Sequence, residues 1–431
     1  MTLRGLVSAA LLIFLPSVAS ASPVTITFDF EDLAATALPR SGALSILSLS
    51  KSGLKADITR PSGRFDVIAN VGSQTKPSAY GLRSLDPFVQ ESAATPFVVN
   101  FTTPVRSVAV DMGDYGQDSP DTLTVRAYSG PNATGTLIGT ATGSLPTLQG
   151  NPFNSRRLQV TSNSDIKSLQ MIGGTPSFPN SVFYDNLTVT AHPIASIPSN
   201  TFNTVVRSGE FEWNSRYRLE FSSEQLRVTV RIRLRGDDPG ADLRALWEAG
   251  IERIWSNRFD VVDGPFRYPM LFDVQFVTFF ADHVVSVHSG DGRSDMLNWF
   301  TESNWGPVYL DEIAAHEFGH MLGLFDEYAG GAVNPDISPN TFTNALMADL
   351  GAVQERYYDQ ILRNLGNMSG RDLSLGQSPL PPPVTDPPTE LFAQHHAGPP
   401  RVPNAPSMYL LLLAAVMLVV RARGRNTRLR Q

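Results

Sequence analysis

The residues with the clearest chemical potential lie in one short stretch, residues 310–328, which reads LDEIAAHEFGHMLGLFDEY. Within it His316 and His320 are four residues apart, so on a helix they lie about 6 Å apart along the axis and on one face. Two neutral imidazoles at that separation can bind one small cation, and zinc favours such ligands. Glu317 could accept a proton from a water molecule beside the metal. The pattern therefore predicts a metal site with a general base, rather than a solvated helix face with incidental histidines.

A third ligand is predicted from the residues that follow the second histidine. Gly323 is expected to end the helix, because glycine is the usual residue at a helix C-terminus. The turn at Gly323 would bring Asp326 back toward the metal from another direction. Three protein ligands, with the fourth position left to water, is the arrangement of a catalytic zinc site.

The complete pattern H-E-x-x-H-x-x-G-x-x-D resembles the signature of the metzincin zinc peptidases, most of which have histidine where this chain has Asp326. With aspartate at this position, the chain resembles the snapalysin-like branch of secreted bacterial neutral proteases. The resemblance covers about residues 226–366 and implies a mixed sheet, an active-site helix and a methionine turn beneath the zinc. Met347, in the sequence NALM, is the candidate for that turn. Asp349 stands where several members carry a tyrosine, so that tyrosine is not expected here.

Two alternatives stay open for metal binding. Glu355 and Asp359 form an E-x-x-x-D pair, which resembles the element that supplies the third ligand in the thermolysin-like clan, although this choice leaves Asp326 unexplained. A second, structural ion is also considered at the histidines near the site and their acidic neighbours, namely His283, His288, Asp282 and Asp291. No oxyanion donor beyond the metal is identified, since Tyr309 and Tyr328 are equally suited to structural roles.

The elements that must position the motif alternate between strands and helices. Residues 226–234 alternate apolar and polar side chains and predict a strand with one buried face. Residues 241–259 have apolar residues at a helical period, and residues 271–280 predict a further strand. Residues 284–288 are the candidate edge strand, which would bind an extended peptide substrate by strand addition. A closing helix is expected at residues 354–365.

Residues 22–197 are predicted to form an all-β unit, a sandwich or jelly roll, because short alternating segments are separated by glycine, proline and asparagine turns. Its opening and closing segments resemble the first and last strands of jelly-roll accessory domains on secreted bacterial proteins. That resemblance implies adjacent strands and a candidate calcium site formed by Glu31, Asp32 and Asp185. A loose linker at about residues 196–203 would then lead to the peptidase domain, residues 205–376.

Both ends of the chain carry targeting signals. Residues 1–21 have an arginine, an apolar run and a small-residue cleavage site, which is typical of a secretory signal peptide. Residues 377–401 form a Pro-rich linker. Residues 402–431 resemble the PEP-CTERM sorting signal recognised by exosortase systems, with Pro-Asn-Ala-Pro in place of Pro-Glu-Pro. The short apolar helix at residues 408–420, followed by arginines, predicts an exported protein in the cell envelope that is at least transiently tethered to the membrane.

Composition narrows the class of function. The 431-residue chain has a net charge of −7, which argues against nucleic acid as its main partner. It contains no cysteine, so disulfides and thiolate metal sites are excluded. The leading hypothesis is a monomeric, exported zinc endopeptidase that acts on protein or peptide substrates. The alternative is a surface adhesion or matrix protein that binds polysaccharide through its jelly roll and retains a vestigial metal site.

Overall fold

The computed structural model describes residues 22–381, apart from short gaps at residues 36–41, 62, 70–79, 88–93, 116–119, 151, 304–305, 307–308 and 339–341. The predicted signal peptide, the Pro-rich segment from residue 382 and the sorting segment at residues 402–431 lie outside the described residues. Within the described ranges, no helix is long and apolar enough to cross a membrane.

The N-terminal part of the chain forms a jelly-roll-like sheet in which every pairing is antiparallel. Its strands are β1 (Val24–Phe28), β2 (Ile46–Lys51), β3 (Leu54–Thr59), β4 (Asp66–Ala69), β5 (Arg83–Asp86), β6 (Phe97–Tyr115), β7 (Asp121–Tyr128), β8 (Leu137–Leu145), β9 (Phe153–Gly174) and β10 (Phe183–Ala191). The main order is β4-β5-β10-β6-β9-β7-β8, and β1 pairs with β10 as the sequence predicted.

The sheet closes around alternate apolar side chains. In β7 every second residue is buried, so one face of the strand forms the core and the other is more exposed. Phe97 packs edge-to-face against Phe65 and Tyr184 with ring centroids 5.1 Å apart in each pair. Residues 97–115 form the single long strand β6, whose pairing with β9 shifts register between Asn100 and Ser107.

The second sheet has both parallel and antiparallel pairs. Its strands are β11 (Ile197–Ser208), β12 (Phe211–Phe221), β13 (Leu226–Gly236), β14 (Phe259–Asp263), β15 (Phe266–Phe276), β16 (His283–Gly292), β17 (Asn298–Ser303) and β18 (Ser374–Gln377). The central strand β13 is parallel to β15 and to β16 and antiparallel to β12. The helices are α1 (Gly240–Trp255), α2 (Leu310–Met321), α3 (Leu346–Asp349) and α4 (Asp359–Ser369), with a 3₁₀ turn at Glu355–Tyr358.

Large aromatic residues join the helices to this sheet. Trp255 of α1 contacts Phe272 of β15 and Phe318 of α2, and its indole N–H donates to the Ala315 carbonyl at 2.9 Å. Gly250 of α1 lies against Asp311 of α2, where a Cβ would clash with the Asp311 side chain. The close approach of α1 and α2 therefore fixes the helix that carries the H-E-x-x-H motif.

Several predicted boundaries in this half were wrong. The expected linker at residues 196–203 is the first part of β11, which pairs with β12. Helix α1 ends at Trp255 rather than residue 259, because Phe259 begins β14. The predicted edge strand at residues 284–288 lies inside β16, which pairs with both β13 and β17, so β17 is the edge on that side. The predicted Pro-rich linker begins too early, since Gln377 still belongs to β18.

The two sheets share one contiguous buried core, and polar contacts join them. The Ile194 amide donates to the Tyr268 hydroxyl at 2.9 Å. The Arg371 side chain, 4% exposed, bridges Asp165 of β9 at 3.1 Å and Asp263 of β14 at 3.4 Å. Burial raises the pKa of Asp263 to about 6 although Arg371 opposes the shift. The desolvation of Asp263 thus makes Arg371 a necessary counter-ion.

Replacing Arg371 by methionine should lower the free energy of unfolding by about 3–5 kcal/mol at pH 8, because Asp263 would be buried without its cation. At pH 5 the loss should be smaller, since Asp263 would then be protonated. The measurement is urea unfolding of both proteins at the two pH values. Arg363→Met, at an exposed position of α4, is the matched control and should change little. An equal effect of both variants would contradict this account.

Candidate metal centre

Helix α2 carries the motif in a closely packed environment. Residues 314–321 are all buried, including His316 and Glu317 at 6% exposure and His320 at 8%. Gly319 lies between the two histidines, and a Cβ there would clash with the sulfur of Met347. Glycine at this position therefore lets α3 pack directly under α2, beside the histidine side chains.

The two imidazoles converge on a carboxylate from outside the helix. The His316 Nε2 atom lies 3.1 Å from Asp326 Oδ1, and the His320 Nε2 atom lies 3.3 Å from the same oxygen. One ligand atom from each residue falls within 4.8 Å of the others. Among the described residues, no other group of three or more histidines and acids is arranged in this way. The structure thus brings together the three residues that the sequence predicted as ligands.

The outer ring nitrogens fit a metal-binding role. His316 Nδ1 lies 2.9 Å from the Leu346 carbonyl, and His320 Nδ1 lies 2.8 Å from the Leu324 carbonyl. A carbonyl can only accept, so Nδ1 carries the hydrogen in both rings. In a neutral ring this leaves the Nε2 lone pair free for a metal, whereas a protonated ring donates from Nε2 to Asp326. Histidine ligands of metals are commonly oriented by such a hydrogen bond from the other nitrogen.

The turn after α2 fixes the carboxylate. Gly323 has φ of +97°, a left-handed conformation that glycine adopts without strain, and α2 ends two residues before it. The chain then returns so that the Asp326 amide donates to the Ala332 carbonyl at 3.0 Å. The Ala332 amide donates to Asp326 Oδ2 at 2.7 Å, which leaves Oδ1 facing the imidazoles.

The charges of these residues are strongly coupled. Burial opposes protonation of His316, but its hydrogen bond to Asp326 and the charges of Glu317 and Asp326 raise its pKa to about 9. Burial also acts against the charge of Asp326, yet hydrogen bonds from His316 and His320 hold its pKa well below the ordinary value. The carboxylate is therefore ionised over the whole range in which the protein would work, as a metal ligand must be.

Glu317 lies on the same helix between the two histidines and is buried beside them. Desolvation raises the pKa of its carboxyl group, while the positive charges of His316 and His320 act in the opposite direction. A carboxyl group with a raised pKa, close to the ligand atoms, suits the transfer of a proton near neutral pH.

Met347 is fully buried within α3, next to the histidine helix. Its backbone carbonyl accepts from the Glu327 amide at 2.9 Å, and its own amide donates to the Tyr357 hydroxyl at 3.3 Å. The preceding residue, Leu346, supplies the carbonyl bonded to His316. The segment that carries Met347 thus both packs under α2 and orients one of the ligands.

The other predicted ligands are not brought together. Glu355 is exposed on the 3₁₀ turn and does not belong to the ligand group. In the proposed calcium site, the Glu31 carboxylate accepts the amides of Leu82 and Arg83, while Asp32 is exposed and Asp185 is buried in β10. Within the described ranges these three acids form no group with metal-ligand spacing. The prediction of a calcium site is therefore not supported by the arrangement of its residues.

The residues considered for a second ion make other contacts instead of forming a common site. His283 Nε2 lies 2.9 Å from the Arg216 carbonyl, and Asp282 pairs with Arg216 and Arg231. His288 stacks on Phe300 with ring centroids 5.0 Å apart. These side chains already have partners that account for their positions.

Two contributors to the site, Trp213 and Arg293, were not found from the sequence. The Trp213 indole of β12 donates to the His320 carbonyl at 2.8 Å and packs edge-to-face against the His320 ring. Arg293, which follows β16, donates to the Tyr328 hydroxyl at 3.0 Å. The Tyr328 ring lies 6.2 Å from the His316 ring. Neither Trp213 nor Arg293 belongs to a motif, whereas Tyr328 was already considered because it is close to Asp326 in sequence.

No protein-family model and no curated protein matches the chain. An arabinose-bound α-L-arabinofuranosidase is similar over 38% of this chain at 12% identity (TM-score 0.26), and the chain spans only 26% of that enzyme. An adhesin domain of Lys-gingipain from Porphyromonas gingivalis is similar over 40% of this chain and 100% of its own length, at 10% identity (TM-score 0.24). A xylan-binding domain from Paenibacillus barcinonensis is similar over 34% and 94%, at 17% identity (TM-score 0.22). Similarities this weak carry no functional argument.

The coupled charges predict how the metal-free protein responds to pH. The pKa of His316 is about 9 in the folded state against an ordinary value of 6.5, so its stabilisation is complete below pH 6.5 and lost as pH rises through 9. In EDTA, the thermal midpoint should therefore fall between pH 6.5 and 9. With zinc present the fall should be abolished, because the metal binds the deprotonated imidazoles. His316→Asn in EDTA is the control, and it should lose this dependence. A midpoint that rises with pH in EDTA would contradict the prediction.

Proposed function

We propose that this protein is an exported zinc-dependent endopeptidase that hydrolyses peptide bonds in protein or peptide substrates. The observation that carries the proposal is the convergence of two imidazoles, each held by a backbone carbonyl, on one carboxylate oxygen. The second sheet with α1 and α2 would then be a catalytic domain of the metzincin type. The motif H-E-x-x-H-x-x-G-x-x-D supports this class.

His316, His320 and Asp326 would hold the metal, and Met347 would pack under the helix that carries the two histidines. Two imidazoles and one carboxylate are a ligand set suited to catalytic zinc, with one position free for water or substrate. When bound, zinc supplies Lewis acidity that polarises a carbonyl and lowers the pKa of water to about 7. The carbonyls of Leu324 and Leu346 keep the two rings in the tautomer that this role requires.

Glu317 would move the proton. Its carboxylate would accept a proton from the attacking water and later donate it to the leaving amine, so the group returns to its starting state. Burial raises the pKa of the Glu317 carboxyl group and so brings it closer to the pKa of a water molecule activated for attack. A purely structural zinc site has no need of such a base. Glu317 is therefore the residue that distinguishes the catalytic proposal from a structural one.

The location of the protein is proposed from its sequence ends. Residues 1–21 would direct export, and residues 402–431 would be handled by exosortase-type sorting machinery. The competing proposal remains a surface adhesion or matrix protein that binds polysaccharide through the first sheet. The two proposals differ in what they require of Glu317, because binding of polysaccharide by the first sheet would be independent of that carboxylate.

Glu317→Gln should lower hydrolysis of casein by about 10²- to 10⁴-fold, because the amide cannot accept the proton. Zinc content should stay close to that of the wild type, since Glu317 is not one of the three converging ligands. Elemental analysis and a fluorescent casein assay, with and without chelator, measure the two quantities. An inactive wild type with full zinc, or full activity of the variant, would overturn the peptidase proposal.

The third ligand can be tested separately. Asp326→Ala should lose most of the bound zinc, because two imidazoles alone form an incomplete site. Glu355→Ala should keep its zinc and activity, since Glu355 is exposed outside the ligand group. Zinc is measured after dialysis against a buffer of defined free zinc. The reverse outcome would transfer the role of third ligand to Glu355.

A further inference from the structure

Two adjacent phenylalanines project into solvent between β15 and β16. Phe279 is 73% exposed and Phe280 is 86% exposed, whereas nearby Phe276 packs against Trp299 in the core. Phe280 also has φ of +57°, which is unfavourable for a bulky residue. Burial of a phenylalanine side chain stabilises a protein by about 1.5–3 kcal/mol. Neither Phe279 nor Phe280 contributes this stabilisation, so the exposure of the two rings needs another explanation.

The segment that carries these rings is held at both ends. The Val277 amide donates to the Ile232 carbonyl at 2.8 Å, and the Asp282 amide donates to the Arg231 carbonyl at 2.7 Å. The Asp282 carboxylate accepts the Arg231 amide at 2.9 Å and the Arg231 guanidinium at 3.2 Å. Only residues 278–281 lie between these anchors. The rings are therefore presented by a short, fixed segment.

Arginines surround the anchors of this segment. Alternation along β13, and its pairing with β12 in the register Arg218↔Thr229, place six arginines on one face of the sheet, namely Arg216, Arg218, Arg227, Arg231, Arg233 and Arg235. Arg216 and Arg231 pair with Asp282. The other four form no ion pair within the part of the chain that the structure describes, although Glu220 and Asp273 lie on the same face. In a chain of net charge −7, this face is a local excess of positive charge.

We propose that Phe279, Phe280 and this arginine face form a docking surface for a membrane that contains anionic phospholipid. The guanidinium groups would bind the phosphates of the headgroups, and the two rings would enter the interfacial region. This combination is what distinguishes a lipid surface from a soluble polyanion, which would use the arginines alone. The proposal is independent of the peptidase activity.

The position of the segment supports joint action of the rings and charges. Its anchors lie on Arg231 and Ile232, in the middle of the strand that carries four of the arginines. Arg233 is two residues further along the same strand, about 7 Å away, which is the spacing of successive residues on one face of a strand. A membrane that receives the rings would therefore be within reach of several guanidinium groups at once.

The test uses residues 22–381, which contain the whole core described above, so that the apolar run at residues 408–420 cannot bind vesicles itself. The protein should cosediment with vesicles of 30% phosphatidylglycerol in phosphatidylcholine, and hardly at all with phosphatidylcholine alone. The double variant Phe279→Ser with Phe280→Ser should bind at least about tenfold more weakly. The double variant Arg233→Gln with Arg235→Gln should also bind at least about tenfold more weakly. Phe178→Ser, which removes an exposed ring from the loop between β9 and β10, is the control and should bind as the wild type.

Three results would overturn the proposal. The first is absence of binding to the anionic vesicles by a wild type that unfolds cooperatively. The second is binding that the arginine variant loses but the phenylalanine variant retains, which would indicate a surface for a soluble polyanion such as an acidic polysaccharide. The third is equal binding by the wild type and both double variants. Circular dichroism of each variant checks that the fold is retained.

Discussion

The candidate metal centre depends above all on two hydrogen bonds between ring nitrogens and backbone carbonyls. They fix the tautomer and rotation of His316 and His320, and so decide where the two remaining nitrogens point. One acceptor, Leu324, belongs to the turn directly after the helix, whereas the other, Leu346, is thirty positions away from its histidine. The orientation of the candidate ligand His316 therefore depends on the path of the chain that brings Leu346 back under the helix.

Glu327 holds that returning path in place. Its carboxylate accepts two hydrogen bonds from the Arg356 guanidinium, at 2.8 and 2.7 Å, and one from the Tyr357 hydroxyl at 2.7 Å. Its amide donates to the Met347 carbonyl. Glu327, the residue beside Asp326, thus connects the turn after α2, the α3 segment and the 3₁₀ turn. The Glu327 side chain is only 13% exposed, and a carboxylate with this many donors stabilises one arrangement and disfavours alternatives in which any donor is lost.

Local patterns predicted the parts of the molecule that depend on local physics. The helix of the motif, the turn at Gly323 and the approach of Asp326 all follow from residues within one short stretch. Strand β11 was not predicted, because its side chains are mostly exposed and show no apolar alternation. The contacts of the Leu346 carbonyl and of Arg371 also could not be predicted from the sequence. A backbone acceptor has no sequence signature, and the partners of Arg371 lie on strands of both sheets.

The short passage from the first sheet to the second has a geometric consequence. Strand β10 ends at Ala191 and β11 begins at Ile197, so the chain crosses between the sheets in residues 192–196. The shared core and the ion pairs of Arg371 across the junction oppose independent motion of the jelly-roll-like sheet. Whatever the first sheet holds would be presented to the metal centre at a set distance and angle. The short connection at residues 192–196 therefore sets the distance between the two sheets.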